Sequence, residues 1–123
     1  MEAKAVRKYI RSSPRKMRTV ANVVRGQRVP EAINALNFLP QKVTDTVRRT
    51  ILSAVHNLMD KYQEERLEED ELVVREIRVD EGPQFKRFRP APRGRAQPIL
   101  KRTSHLTVVV GTHGEEEEES DEE

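Results

Sequence analysis

The chain has 123 residues, 35% hydrophobic and 36% charged, with a formal net charge of +2 and neither Cys nor Trp. That length holds one domain with a modest core, and the composition excludes a disulfide framework, a Cys-based zinc site and, with no apolar run near the roughly 20 residues a bilayer requires, a transmembrane helix. The charge is also uneven: residues 115–123 carry eight of the 21 acids, so residues 1–114 set 23 Lys and Arg against 13 acids, a net +10 that points to a polyanionic partner.

Residues 1–28 hold nine Lys or Arg and one acid, Glu2. Val6, Tyr9 and Ile10 among Lys4, Arg7, Lys8 and Arg11 predict a strand over residues 2–11. Ser13 then suits a helix N-cap, and Pro14 suits the first helical position, where its missing N–H costs nothing. Met17, Val20, Ala21 and Val24 form one apolar stripe, and Gly26 is a suitable stop. Pro30 predicts a second helix with Ala32, Ile33 and Leu36 on one face, unable to run much past Phe38 because of Pro40. A third helix is predicted from about Gln41. Its stripe of Val43, Val47, Ile51, Ala54, Val55, Leu58 and Tyr62 makes it the main core element, with Arg48 and Arg49 outside. Residues 64–71 contain six acids and one base, a solvated helix end and loop that should face away from a polyanion.

Residues 72–79 return to strand chemistry, with Val73, Ile77 and Val79 sharing one parity and Arg75 interrupting that face. Leu106, Val108 and Val110 give the matching face of a last strand. Between these strands, residues 84–102 hold seven Lys or Arg and no acid, punctuated by Pro90, Pro92, Gly94 and Pro98. So cationic a stretch cannot bury itself and must lie in water or against a polyanion. The simplest topology is an antiparallel hairpin extension over residues 80–106 with its tip near residues 89–95, about ten residues per arm and a reach of some 30 Å. Such a ribbon is marginal alone and gains order from its partner. The acidic residues 114–123 are predicted to be a disordered tail, either solubilising or folded back to mask the basic surface.

Several motifs occur together in one order over about residues 2–111. They are Ser12-Ser13-Pro14-Arg15-Lys16-Met17-Arg18, Val23-Val24-Arg25-Gly26, Ser53-Ala54-Val55-His56-Asn57 and Val79-Asp80-Glu81-Gly82-Pro83, then Lys86-Arg87, Gly94-Arg95-Ala96 and Lys101-Arg102-Thr103-Ser104-His105-Leu106-Thr107-Val108-Val109-Val110. The chain resembles the bacterial form of the large-subunit ribosomal protein twenty-two family. The resemblance implies an α+β fold of three helices packed on a small antiparallel sheet, with a long protruding basic hairpin: one RNA-binding domain over residues 1–113, followed by the tail. It implies a body near the mouth of the peptide exit tunnel and a hairpin running inward through ribosomal RNA, its tip (Arg89, Pro90, Ala91, Pro92, Arg93, Gly94 and Arg95) beside the nascent chain. Support of subunit assembly, neighbouring ribosomal proteins as further partners, a place in the cytoplasm within the ribosome, and altered macrolide response on changes at the tip are also implied. No homo-oligomer is expected, and no transit-like leader is visible. Two departures from the family pattern are the three prolines in or beside the tip and a tail that continues past the usual end near Val110.

Arg forks bind phosphate bidentately and Lys binds it as a point charge, while A-form RNA offers mainly phosphates and 2′-hydroxyls. The candidate RNA contacts are Lys86, Arg87, Arg89, Arg93, Arg95, Lys101 and Arg102 in the hairpin, with Lys8, Arg11, Arg15, Lys16, Arg18 and Arg25 before it. A free RNA chaperone or general nucleic-acid-binding module is the alternative. An enzyme is not expected, nor any cofactor or metal. His56 and His105 lack a Cys or a paired carboxylate at ligand spacing, His105 being a candidate to stack on or bond to RNA, and there is no phosphate loop or nucleophile elbow.

Overall fold

The computed structural model describes residues 1–65 and 67–112; the tail reading and His113 fall outside them. In chain order the elements are β1 (Glu2–Ile10), α1 (Pro14–Val24), α2 (Val29–Asn37), α3 (Thr44–Lys61), β2 (Leu72–Glu81), β3 (Phe85–Pro90), β4 (Ala96–Lys101) and β5 (Ser104–Thr112). The body sheet has the order β1-β5-β2, antiparallel throughout, and β3 and β4 pair as a separate ribbon. The α+β expectation of three helices on a small antiparallel sheet holds.

The helices form where caps and apolar spacing place them. Ser13 Oγ accepts from Lys16 N at 3.4 Å, Pro14 opens α1, and Gly26 takes a φ of 79° just past its end. Met17, Val20, Ala21 and Val24 are all fully buried. Helix α2 stops at its C-cap, Phe38, ahead of Pro40. Helix α3 begins at Thr44, later than its stripe suggested, because the Gln41 carbonyl accepts from both the Thr44 N–H (3.2 Å) and hydroxyl (2.8 Å) and turns the chain first. Its buried face is Val47, Thr50, Ile51, Ala54, Val55 and Leu58, with Val43 and Tyr62 only partly covered. Thr50 is tolerated in the core because its hydroxyl donates to the Thr46 carbonyl at 2.8 Å. Burying Ile51 or Leu58 contributes roughly 1.5–3 kcal/mol each.

The predicted parity of β2 is corrected by a bulge. Val74 pairs with Val110 and Glu76 with Val109, so Arg75 is an extra residue in the ladder. A one-residue insertion moves every later side chain to the other face. Leu72 and Val74 therefore face the core before it, and Ile77 and Val79 after it. Val73, opposite Gly111 on the far face, is buried but is not part of the core cluster. The Arg75 side chain lies along Gly111 and reaches Glu2 Oε2 at 3.2 Å.

Strand β2 is the outer strand of the sheet on its side, yet its free edge is occupied. Gly26 N donates to the Val74 carbonyl at 3.0 Å, and Val74 N to the Gln27 carbonyl at 2.9 Å. Arg25 donates to the Ile77 carbonyl at 2.8 Å, and Arg18 to the Val79 carbonyl at 3.0 Å. An edge satisfied in this way is a poor template for another chain.

The hairpin is also jointed rather than continuous. The body ladder ends at Glu81↔Ser104, and the distal one runs from Phe85↔Lys101 to Pro90↔Ala96. Each distal strand has six residues, so this ladder spans about 20 Å, shorter than the arm expected from residue count. At the joint Gly82 N donates to the Thr103 carbonyl at 3.0 Å, and the Thr103 hydroxyl to the Pro83 carbonyl at 2.6 Å. The fully buried Ser104 hydroxyl donates to the Ser12 carbonyl at 2.6 Å, tying the hairpin root to the α1 cap. A Cβ on residue 82 would overlap the Thr103 hydroxyl and crowd the His105 ring.

Urea unfolding distinguishes three substitutions. Gly82→Ala destabilises by about 1–3 kcal/mol, since the Thr103 hydroxyl must leave its bond to the Pro83 carbonyl to admit the methyl. Arg25→Ala costs about 0.5–1.5 kcal/mol by opening the Ile77 carbonyl, whereas Arg15→Ala stays within about 0.5 kcal/mol because no protein group among the described residues receives its guanidinium.

Candidate nucleic-acid interface

The hairpin root, the α1 N-terminus and the approach to α3 enclose a cleft of about 950 Å³. Arg11, Lys16, Lys42, Lys101 and Arg102 line it with Ser12, Ser13, Thr19, Gln41, Val43 and Leu100, and no acid does. Four of the predicted cations, Arg11, Lys16, Lys101 and Arg102, thus meet here although the chain separates them widely. Helix α1 adds to the positive potential. Its first turn holds Arg15 and Lys16 and no acid, whereas α2 has Glu31 there and α3 has Asp45. Cations beside the positive end of a helix dipole oppose the usual stabilising arrangement, and an anion outside relieves them.

The other candidates divide between free and engaged groups. Lys8 is exposed on β1, and Arg15 is exposed on α1. Arg18 and Arg25 each commit a guanidinium nitrogen to the β2 edge, so their first role is to hold α1 on the sheet. Lys86, Arg87 and Arg89 stand exposed on β3, and Arg87 lies 6.0 Å from the Phe85 ring centroid. At the tip, Arg89 and Pro90 remain in the ladder, opposite Gln97 and Ala96. The turn proper is residues 91–95, closed by Ala91 N donating to the Arg95 carbonyl at 2.7 Å. Arg93 and Gly94 both take positive φ there, 66° and 71°. For Arg93 this is left-handed backbone that a non-glycine residue rarely adopts, and its side chain is exposed.

Sequence reasoning missed Lys42, which belongs to no local basic cluster and joins the cleft only through tertiary contact. It also left aside Phe85 and Phe88, although their alternation with Lys86, Arg87 and Arg89 is a visible stacking signal. His105 has a structural post. Its Nδ1 accepts from Tyr9 N at 3.0 Å, and its ring meets the Tyr9 ring edge-on with centroids 5.0 Å apart. This bond supports Tyr9 at a φ of 58°, where β1 carries one extra residue opposite β5. Among the described residues, no three His, Cys, Asp or Glu side chains gather as a metal site, and no helix is long and apolar enough to cross a membrane. The acidic residues 68–71 lead into β2 at the end away from the hairpin, so the ten-residue strand sets that segment about 30 Å from the hairpin root, where β2 itself ends in Asp80 and Glu81.

A family model described as Ribosomal protein L22p/L17e matches residues 5–111. The large ribosomal subunit protein uL22 of Salinibacter ruber is 56% identical over 120 residues, covering 98% of both chains. The protein of that name from Desulfitobacterium hafniense is 47% identical over 109 residues, covering 89% of this chain and 93% of the relative. That from Roseiflexus castenholzii is 49% identical over 110 residues, covering 89% and 95%. These are ribosomal proteins rather than enzymes, and by the extent and identity of the match the chain belongs to the ribosomal protein L22p/L17e family.

Proposed function

We propose that the chain is a structural component of the large ribosomal subunit that binds ribosomal RNA, supports subunit assembly and lines the nascent-peptide exit tunnel with its hairpin tip. The observation that carries this is the acid-free surface running from the cleft along the ribbon, since residues 84–102 hold seven cations and no acid. Phosphates fill the cleft where Lys16, Lys101 and Arg102 converge, and the α1 N-terminus contributes its dipole. Arg87, Arg89, Arg93 and Arg95 continue that track outward. The end of the body that carries the acidic residues 68–71, at the start of β2, faces away from the RNA. Neighbouring ribosomal proteins are its other partners, and the nascent chain passes residues 91–95.

Sedimentation tests the ribosomal reading. The tagged protein travels with the large subunit in equimolar amount and resists a high-salt wash; spreading through free and mixed RNA fractions would instead support a general RNA chaperone. Binding to protein-free large-subunit RNA separates the arginines. Arg15→Ala or Lys101→Ala lowers the slope of log K against log salt by about one, while Arg25→Ala changes it by less. The tunnel position has its own test, because the chain contains no Cys. A single Arg93→Cys substitution in assembled ribosomes forms a disulfide with a cysteine-bearing nascent chain when a mild oxidant is added, and an Arg48→Cys control does not. Failure at residue 93 removes the tunnel assignment and leaves RNA binding standing.

A further inference from the structure

The distal ribbon sorts its side chains onto two faces of different chemistry. Residues paired across antiparallel strands share a face, and alternate residues along a strand do too. Phe88 pairs with Pro98, Pro90 with Ala96 and Lys86 with Leu100, which makes one face apolar at all but Lys86. Arg87 pairs with Ile99, Arg89 with Gln97 and Phe85 with Lys101, which makes the other face cationic. On the cationic face the apolar groups are partly covered: Phe85 lies beneath Arg87, and Ile99 is half-buried. Phe88 has no such cover and is 68% exposed.

Two features identify what covers Phe88. The neighbouring Pro90 and Pro98 rings have little freedom to lose, so the surface is set before anything binds. The ribbon is also only two strands wide, about 5 Å between strands, so whatever meets Phe88 lies beside Lys86 and feels the charge of Arg87 and Arg89 across the ribbon. An apolar protein surface would have to meet a ribbon with no acid to balance these cations. A nucleobase offers a flat π-face and brings its own phosphate.

We propose that Phe88 stacks on an unpaired nucleobase, beside Pro98 and Leu100, while Arg87 and Arg89 on the opposite face hold the phosphates of a second RNA segment, so that the ribbon is a two-sided spacer between RNA strands. This rests on the ribosomal RNA reading above.

The full-length chain and protein-free large-subunit RNA test it. Because the chain lacks Trp, Phe88→Trp introduces a single indole. RNA quenches its fluorescence, and the variant binds as tightly as the unaltered protein, whereas an Ile99→Trp indole on the cationic face is quenched far less. Phe88→Leu keeps apolar area without a ring and weakens binding by about 10-fold or more, with the salt slope unchanged because no phosphate contact is lost. Tight binding by Phe88→Leu overturns the stacking role alone. If that variant binds RNA normally but enters subunits poorly, a protein neighbour covers the face and the proposal is wrong. Loss of affinity with a lowered slope also overturns it, since the ring would then serve only to order the ribbon's cations. An unaltered protein with no preference for large-subunit RNA removes the ribosomal reading and this inference together.

Discussion

Among the described residues, strand β5 alone has a full strand on each side, and the rest of the molecule is arranged on it. Leu106, Val108 and Val110 turn its inner face wholly into the core, and β1 and β2 take their registers from its two sides. Irregularity is confined to its partners. Strand β1 carries an extra residue between Arg7 and Ile10, and β2 carries Arg75. At the joint, residues 82–84 stand opposite residues 102–103, again one more on the partner side. A bulge sharpens local twist and re-aims the chain while leaving its partner straight. Two of these irregularities flank the hairpin root, where Tyr9 leans on His105 and Gly82 on Thr103. The ribbon's direction of departure is thus set by a rigid strand and two corrections against it.

Charge is divided between holding the fold and meeting a partner. Arg18 and Arg25 close the outer edge of β2, where unpaired carbonyls would otherwise stand open. Arg15 and Lys16, one turn of α1 away or less from Arg18, have no such duty and point their charge outward beside the helix N-terminus. Counting cations along α1 therefore overstates the number of phosphates it can neutralise. The cleft shows the converse: Lys42 is isolated in sequence and joins Lys101 and Arg102 only once α3 is docked.

Much of this was legible in the sequence, and the reasons are local. Ser13-Pro14 marks a helix start because cap and first-turn chemistry act within a few residues. The stripe from Val47 to Leu58 marks a buried face because one helix face repeats regularly. The acid-free run around the hairpin marks a surface that cannot bury itself. What escaped was non-local. The bulge at Arg75 shows in the sequence only as a charge interrupting the apolar parity, which does not reveal that the register shifts there. The edge roles of Arg18 and Arg25 depend on α1 lying beside β2. The joint at residue 82 depends on how near Thr103 comes, and turn chemistry at Glu81-Gly82-Pro83 signalled a break without giving its geometry.

The central place of β5 also sets an order of events in synthesis. Strand β1 is made first, yet its partner follows the entire hairpin, with Glu2 opposite Gly111. The contact spans almost the whole described chain, the kind of distant pairing that slows folding. The helices can collapse early, but the sheet they rest on stays open until residues 104–112 have left the ribosome that makes them. By then the basic ribbon already exists in full. A chain interrupted within the ribbon has no central strand and cannot close its core, so truncated copies are exposed to proteolysis rather than competing for the RNA site.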